Sequence, residues 1–100
     1  MNNGYVMNSE ELRGLAGKID TDSGTLASLA TTLNGHSETI LGAWTGDSAD
    51  AFRSAMETVN TKLNEMSANL SDISANLKST AQIADDTAAQ NQATINGVIG

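Results

Sequence analysis

Gly42-Ala43-Trp44-Thr45-Gly46-Asp47, at the midpoint of a 100-residue chain, separates two long apolar stripes, and its reading decides the fold. Upstream run Leu12, Leu15, Ile19, Asp22, Leu26, Leu29, Leu33, His36, Ile40 and Ala43, in steps that alternate three and four. Downstream run Phe52, Met56, Val59, Leu63, Met66, Leu70, Ile73, Leu77, Thr80 and Ala84, again without a slip. This spacing lays a stripe along one face of a helix in heptad fashion. Gly46 can take backbone conformations closed to other residues and reverse the chain. Asp47 suits the N-cap of the next helix, and Asp50 its first turn. The expected fold class is all-α, an antiparallel helix-turn-helix hairpin.

Working outward, helix 1 is expected over about 9–42, the turn over 43–47 and helix 2 over about 48–90, all in one domain, 1–100. Asn8 with Glu11 three residues on reads as a capping box. Gly14, Gly17, Gly24 and Gly35 weaken helix 1, yet the heptad phase passes through them, so one continuous helix is expected. Residues 91–100, small, amidic and punctuated by Gly, read as a flexible C-terminal tail. The expected seam joins Leu12, Leu15, Ile19, Leu26, Leu29, Leu33 and Ile40 to Phe52, Met56, Val59, Leu63, Met66, Leu70, Ile73 and Leu77. Facing residue numbers should total about 92 in an antiparallel hairpin, so that Leu33 meets Val59 and Leu15 meets Leu77. Ala16, Ala27, Ala30, Leu41, Ala55, Ala68 and Ile83 fall off this seam and are expected to be exposed. A two-helix layer is thin, and a second hairpin making a four-helix bundle would cover what it leaves bare.

Composition narrows the function. Five Lys+Arg against twelve Asp+Glu give a formal net charge of −7, which disfavours nucleic acid and anionic membrane surfaces alike. No apolar run approaches the ~20 residues that span a bilayer. The start, Met1 to Glu10, lacks the basic end and apolar core of a secretory signal peptide. With no Cys and a single His, nucleophilic and metal constellations are short of parts, and no enzyme, cofactor or metal is expected. Asp20, Asp22 and Gly24 fail as a calcium loop, because the Gly comes one position early and Thr31 stands where Glu is needed. Asp85–Asp86, with no His beside it, reads as a solvated helix face. His36 and Asp22 lie on the seam, the first as a packed His and the second as a register-fixing polar residue. The Met residues read as core filler, and Asn69-Leu70-Ser71, though a sequon, is set inside a helix.

The central Trp44-Thr45-Gly46, both stripes, the length, the acidity and the lack of Cys together resemble the WXG family of ESAT-like proteins. The Asn8-Ser-Glu-Glu-Leu12 opening is similar to that family's polar-x-Glu-Glu-apolar start. The resemblance covers essentially the whole chain. It implies a small, non-enzymatic substrate of the bacterial type VII secretion system. Such a protein is cytoplasmic before export, leaves without a cleaved signal peptide, and acts as a homodimer or heterodimer with a similar helical protein. Trp44 covers its own helix ends on the plainer reading, and forms part of a surface read by the secretion machinery on the other.

The resemblance also implies a signal of the form Tyr-x-x-x-Asp/Glu after helix 2, and here the sequence departs from it. The single Tyr is Tyr5, and only Ala81-x-x-x-Asp85 and Gln82-x-x-x-Asp86 keep the acid. A relaxed signal falls on Asp85 and Asp86, or a partner supplies it. Ile95, Val98 and Ile99 are then the tail that docks on the secretion ATPase. An alternative is an export chaperone or targeting partner of a larger type VII toxin, binding its N-terminal domain and supplying part of a composite signal. A membrane-lytic effector is disfavoured by the acidic charge and the lack of a cationic amphipathic face.

Overall fold

The computed structural model describes residues 7–99, with side-chain placement through residue 97. Two helices make the fold, α1 over Ser9–Leu41 and α2 over Asp47–Ile99. α1 opens on the expected capping box. Asn8 Oδ1 accepts from the Glu11 N–H at 2.8 Å, and the Asn8 N–H donates to Glu11 Oε1 at 3.3 Å. The helix then runs through all four of its glycines without a break. At its end the Gly42 N–H still donates to the Glu38 carbonyl at 2.9 Å, and Ala43 donates to Ile40 at 3.1 Å. Gly46 makes the reversal with φ +107°, a region that favours glycine. Its carbonyl accepts from the Asp50 N–H at 3.0 Å, so Gly46 rather than Asp47 stands at the head of α2.

α2 does not stop near residue 90. It continues as helix to Ile99, so the segment read as a tail is the last part of a 53-residue helix. Nothing in that segment forbids helix, since it has no Pro and only Gly97 before the end. At 1.5 Å per residue such a helix is about 80 Å long, which matches the 80 Å long axis of the molecule.

The two helices touch through an alternation of large and small residues. Leu12, Ile19, Leu26 and Leu33 on α1, and Met56, Leu63, Leu70 and Leu77 on α2, are half-buried. Between them sit small or short polar residues: Ala16, Ser23, Ala30 and Ser37, against Asn60, Ser67, Ser74 and Ala81. Ala16 and Ala81 are wholly inaccessible. The short side chains let the backbones approach until hydroxyls reach across. Ser23 Oγ donates to the Ser67 carbonyl at 2.7 Å, and Ser67 Oγ returns the bond to the Ser23 carbonyl at 2.8 Å. Ser74 Oγ donates to the Ala16 carbonyl at 3.1 Å, and Asn60 Nδ2 to the Ala30 carbonyl at 3.0 Å. In each of these pairs the residue numbers total 90, within one helical turn of the expected register.

Six of the fifteen residues of the expected seam therefore lie elsewhere. Leu15, Leu29, Ile40, Val59, Met66 and Ile73 are exposed, while Ala16 and Ala30 are buried. Leu41 is half-buried, and Ala27, Ala55, Ala68 and Ile83 are exposed as expected. The physical reason is geometric. The column Leu12, Ile19, Leu26, Leu33 has a neighbouring column on each side, one step back (15, 22, 29, 36) and one step on (16, 23, 30, 37). Hydrophobicity selects the first. The close approach that hydrogen-bonds hydroxyls to main-chain carbonyls selects the second.

Candidate functional site

The helical phase fixes what each side of the hairpin carries. Positions 13 and 20 flank the contact stripe on one side, and 15 and 22 on the other. On the first side two ion pairs cross between the helices, Lys78 Nζ to Asp20 Oδ2 and Arg13 Nη1 to Asp85 Oδ2, each at 2.8 Å. Toward the turn, this polar side opens into a groove lined by Asn34, Glu38, Arg53 and Asn60, with Ser37 at its floor. The Ser37 hydroxyl is buried there and has no hydrogen-bond partner among the described residues. The opposite side carries Leu15, Leu29, Val59, Met66 and Ile73, with Leu29 43 %, Met66 52 % and Ile73 46 % exposed. Within that strip Asp22 and His36 are the polar members contributed by the α1 column, and both are exposed.

Trp44 and Phe52 close the turn end. Their ring centroids lie 5.4 Å apart with planes tilted by 46°, within the range over which aromatic rings attract each other. Trp44 keeps 38 % of its surface accessible, so its ring both rests on Phe52 and faces outward. Thr45 and Gly46 are exposed beside it.

At the far end, Asp85 is no solvated helix face. It is half-buried and bound to the first turns of α1. Hydrogen bonding from Ser9, then from Arg13, holds its carboxyl below the usual aspartate range. Asp20 is lowered in the same way, chiefly by its bond from Lys78. Asp86 is exposed and accepts from Gln82 Nε2 at 3.0 Å, while Gln82 Oε1 accepts from Arg13 Nη2 at 3.4 Å. Asp85 and Asp86 thus divide their work, one inside the interhelical clamp and the other outside it. In the frame Ala81-x-x-x-Asp85 the first position is buried in the helix contact, so only Gln82 and Asp86 present both members to solvent. Ile95 is 51 % exposed on the part of α2 that runs past the described start of α1. Val98 and Ile99 belong to the same helix, and their side chains lie outside the described residues.

The sequence reading passed over the hydroxyl clasp and the terminal clamp. The clasp had a signal in the recurrence of Ala or Ser at 16, 23, 30 and 37, and of short residues at 60, 67, 74 and 81. Among the described residues no three His, Cys, Asp or Glu side chains gather as a metal site, and no helix is long and apolar enough to cross a membrane.

No curated protein matches the chain. Among solved structures it is similar to EsxA of Geobacillus thermodenitrificans, at 29% identity and a TM-score of 0.79, over 90% of this chain and 99% of that one. The family model described as proteins of 100 residues with WXG matches residues 4–93. With Trp44-Thr45-Gly46 at the turn of an all-helical hairpin, the chain belongs to the WXG100 family, the helical hairpins that include substrates of type VII secretion.

Proposed function

We propose that this protein is a non-enzymatic substrate of a bacterial type VII secretion system. It acts through protein–protein contacts and is exported folded, as a dimer, without a cleaved signal peptide. The observation that carries the reading is the hairpin's two-sided character. One side is polar and bridged by two cross-helix ion pairs, and the other is a strip of large apolar side chains with nothing of the described chain over it. Such a strip marks an interaction surface, and a second helical hairpin has the length and shape to cover it.

The export signal is proposed to lie on the part of α2 beyond the clamp. Asp86 is the exposed acid there, and Ile95, Val98 and Ile99 form the segment that would dock on the secretion ATPase. The test compares Asp86→Ala, a truncation after Ala93, and Trp44→Ala in the producing bacterium. Thermal midpoint and amount in the culture supernatant are measured for each. Unchanged melting with lost secretion for the first two supports the reading. Normal secretion of both moves the signal to the Trp44 end or to a partner chain.

A second reading is an export partner of a larger type VII toxin. It draws support from the absence of a Tyr four residues before either acid. Co-purification of a larger protein in place of a second copy of this chain would favour it.

A further inference from the structure

The groove on the polar side arises from a change within one column of side chains. Both cross-helix ion pairs join residues whose numbers total 98, Arg13 with Asp85 and Asp20 with Lys78. Steps of seven along each helix carry that column toward the turn, as Ala27 with Ser71, Asn34 with Asn64 and Leu41 with Glu57. A charge pair bridges the helices in the first two rows and in none of the last three. There Asn34, Leu41, Glu57 and Asn64 line the same groove, of about 530 Å³, a size that admits a small organic group.

The charges of the groove are out of balance. Arg53 turns away to Asp50 on its own helix, Nη1 to Oδ1 at 3.1 Å. Glu38 accepts from Asn34 Nδ2 at 3.4 Å, and Glu57 has no hydrogen bond or ion pair among the described residues. Two carboxylates thus line the groove without a cation. Ser37, 6 % exposed, lies at the floor with its hydroxyl unpartnered among the described residues, an arrangement that costs free energy until a partner is found. Leu41 and Met56, both half-buried, give the groove an apolar part.

We propose that this groove binds an aliphatic cation, either a lysine side chain of another protein or a free diamine, with its charged end held by Glu38, Glu57 and Ser37. An ammonium group has three protons to donate and no acceptor. Glu38 and Glu57 take two of them, and the Ser37 oxygen, turned by rotation about χ1, takes the third. The methylene stem lies along Leu41 and Met56, since such a group carries its charge at the end of an apolar chain. The net charge of −7 draws cations toward the protein. An anion would meet two carboxylates, and a neutral guest would leave both uncompensated. Among the described residues no three acidic, His or Cys side chains gather to hold a metal ion. The groove lies opposite the apolar strip, so it stays open whatever covers that strip.

The test uses the full chain labelled with ¹⁵N and three probes, Nα-acetyl-lysine amide, 1,5-diaminopentane and ammonium chloride, at equal ionic strength. The first two are expected to shift the side-chain amide signals of Asn34 and Asn64 saturably, and ammonium chloride, which has no stem, to leave them in place. The probe that binds more tightly identifies the source of the cation. Glu38→Gln/Glu57→Gln is expected to weaken binding about tenfold, as loss of two exposed ion pairs does, and Ser37→Ala to weaken it further. Glu10→Gln/Asp72→Asn makes the same change of charge outside the groove and is expected to alter binding less than about twofold, the residue of long-range attraction at ordinary salt. Shifts spread over the whole acidic surface, or equal losses in the two double variants, overturn the proposal in favour of general charge attraction. Absence of saturable shifts with both stemmed probes overturns it outright.

Discussion

Asp20 and Asp85 show how single residues tie an otherwise thin contact. Each is held below its ordinary value, Asp20 chiefly by Lys78 and Asp85 chiefly by Ser9 with Arg13 behind it. A carboxyl lowered on folding contributes stability that is complete above its unfolded value, near 4. That contribution is lost as pH falls through the lower folded value. Acid also discharges a chain of net charge −7 and relieves self-repulsion, so the whole melting curve mixes two opposing effects. The difference between wild type and an Asp20→Asn/Asp85→Asn double variant isolates the first. Thermal midpoints from pH 7 to 2 should show the wild type ahead at neutral pH, with the gap closing below about pH 4. Because the pairs are at the surface, the gap should also shrink in high salt. Ser37 is the opposite case, a buried hydroxyl that finds no partner among the described residues. Ser37→Ala removes it without opening space, and should leave stability unchanged or raise it by about 1 kcal/mol, measured by urea denaturation.

At the scale of the helix, the two elements differ in how they persist. α1 carries Gly14, Gly17, Gly24 and Gly35, and a Cβ built on any of them meets nothing within 4 Å. Gly24 sits on a helical backbone with no conformational need for glycine, so Gly24→Ala should stabilise by about 1 kcal/mol. For a domain of this size that is about 4–8 °C in thermal midpoint, readable by circular dichroism. α2 has neighbours that respond in opposite ways. Ser74 is buried and bonded to the Ala16 carbonyl, so Ser74→Leu forces the helices apart and should cost about 1–3 kcal/mol or more on the same assay.

For the molecule as a whole, the contrast between its sides sets what can bind it. Ile73 adjoins Ser74 in sequence but lies on the uncovered side. Ile73→Glu should therefore leave the helical circular dichroism of the hairpin in place while light scattering reports a shift toward monomer. If the variant unfolds and dissociates in one step, the hairpin has no stability apart from its partner, as is common for obligate dimers.

The sequence by itself determined the helices and their order. Unbroken three-and-four spacing, the Asn8–Glu11 box and the glycine reversal at Gly46 are local properties, set by 3.6 residues per turn and by backbone sterics. Trp44-Thr45-Gly46 at the midpoint was legible for the same reason. The large half of the helix contact, Leu12 to Leu33 and Met56 to Leu77, could also be read from spacing. Its small half could not, because hydrophobicity ranks Leu15 and Leu29 above Ala16 and Ala30, and only the distance between two backbones reveals that Ser23, Ser67 and Ser74 can bridge it. The fate of Asp85 was likewise decided by tertiary structure. A carboxylate 72 residues from Arg13 in the chain becomes its ion-pair partner only once the hairpin closes. Local periodicity fixed which faces exist, and the closing of the hairpin fixed which one is spent inside it and which is left for another molecule.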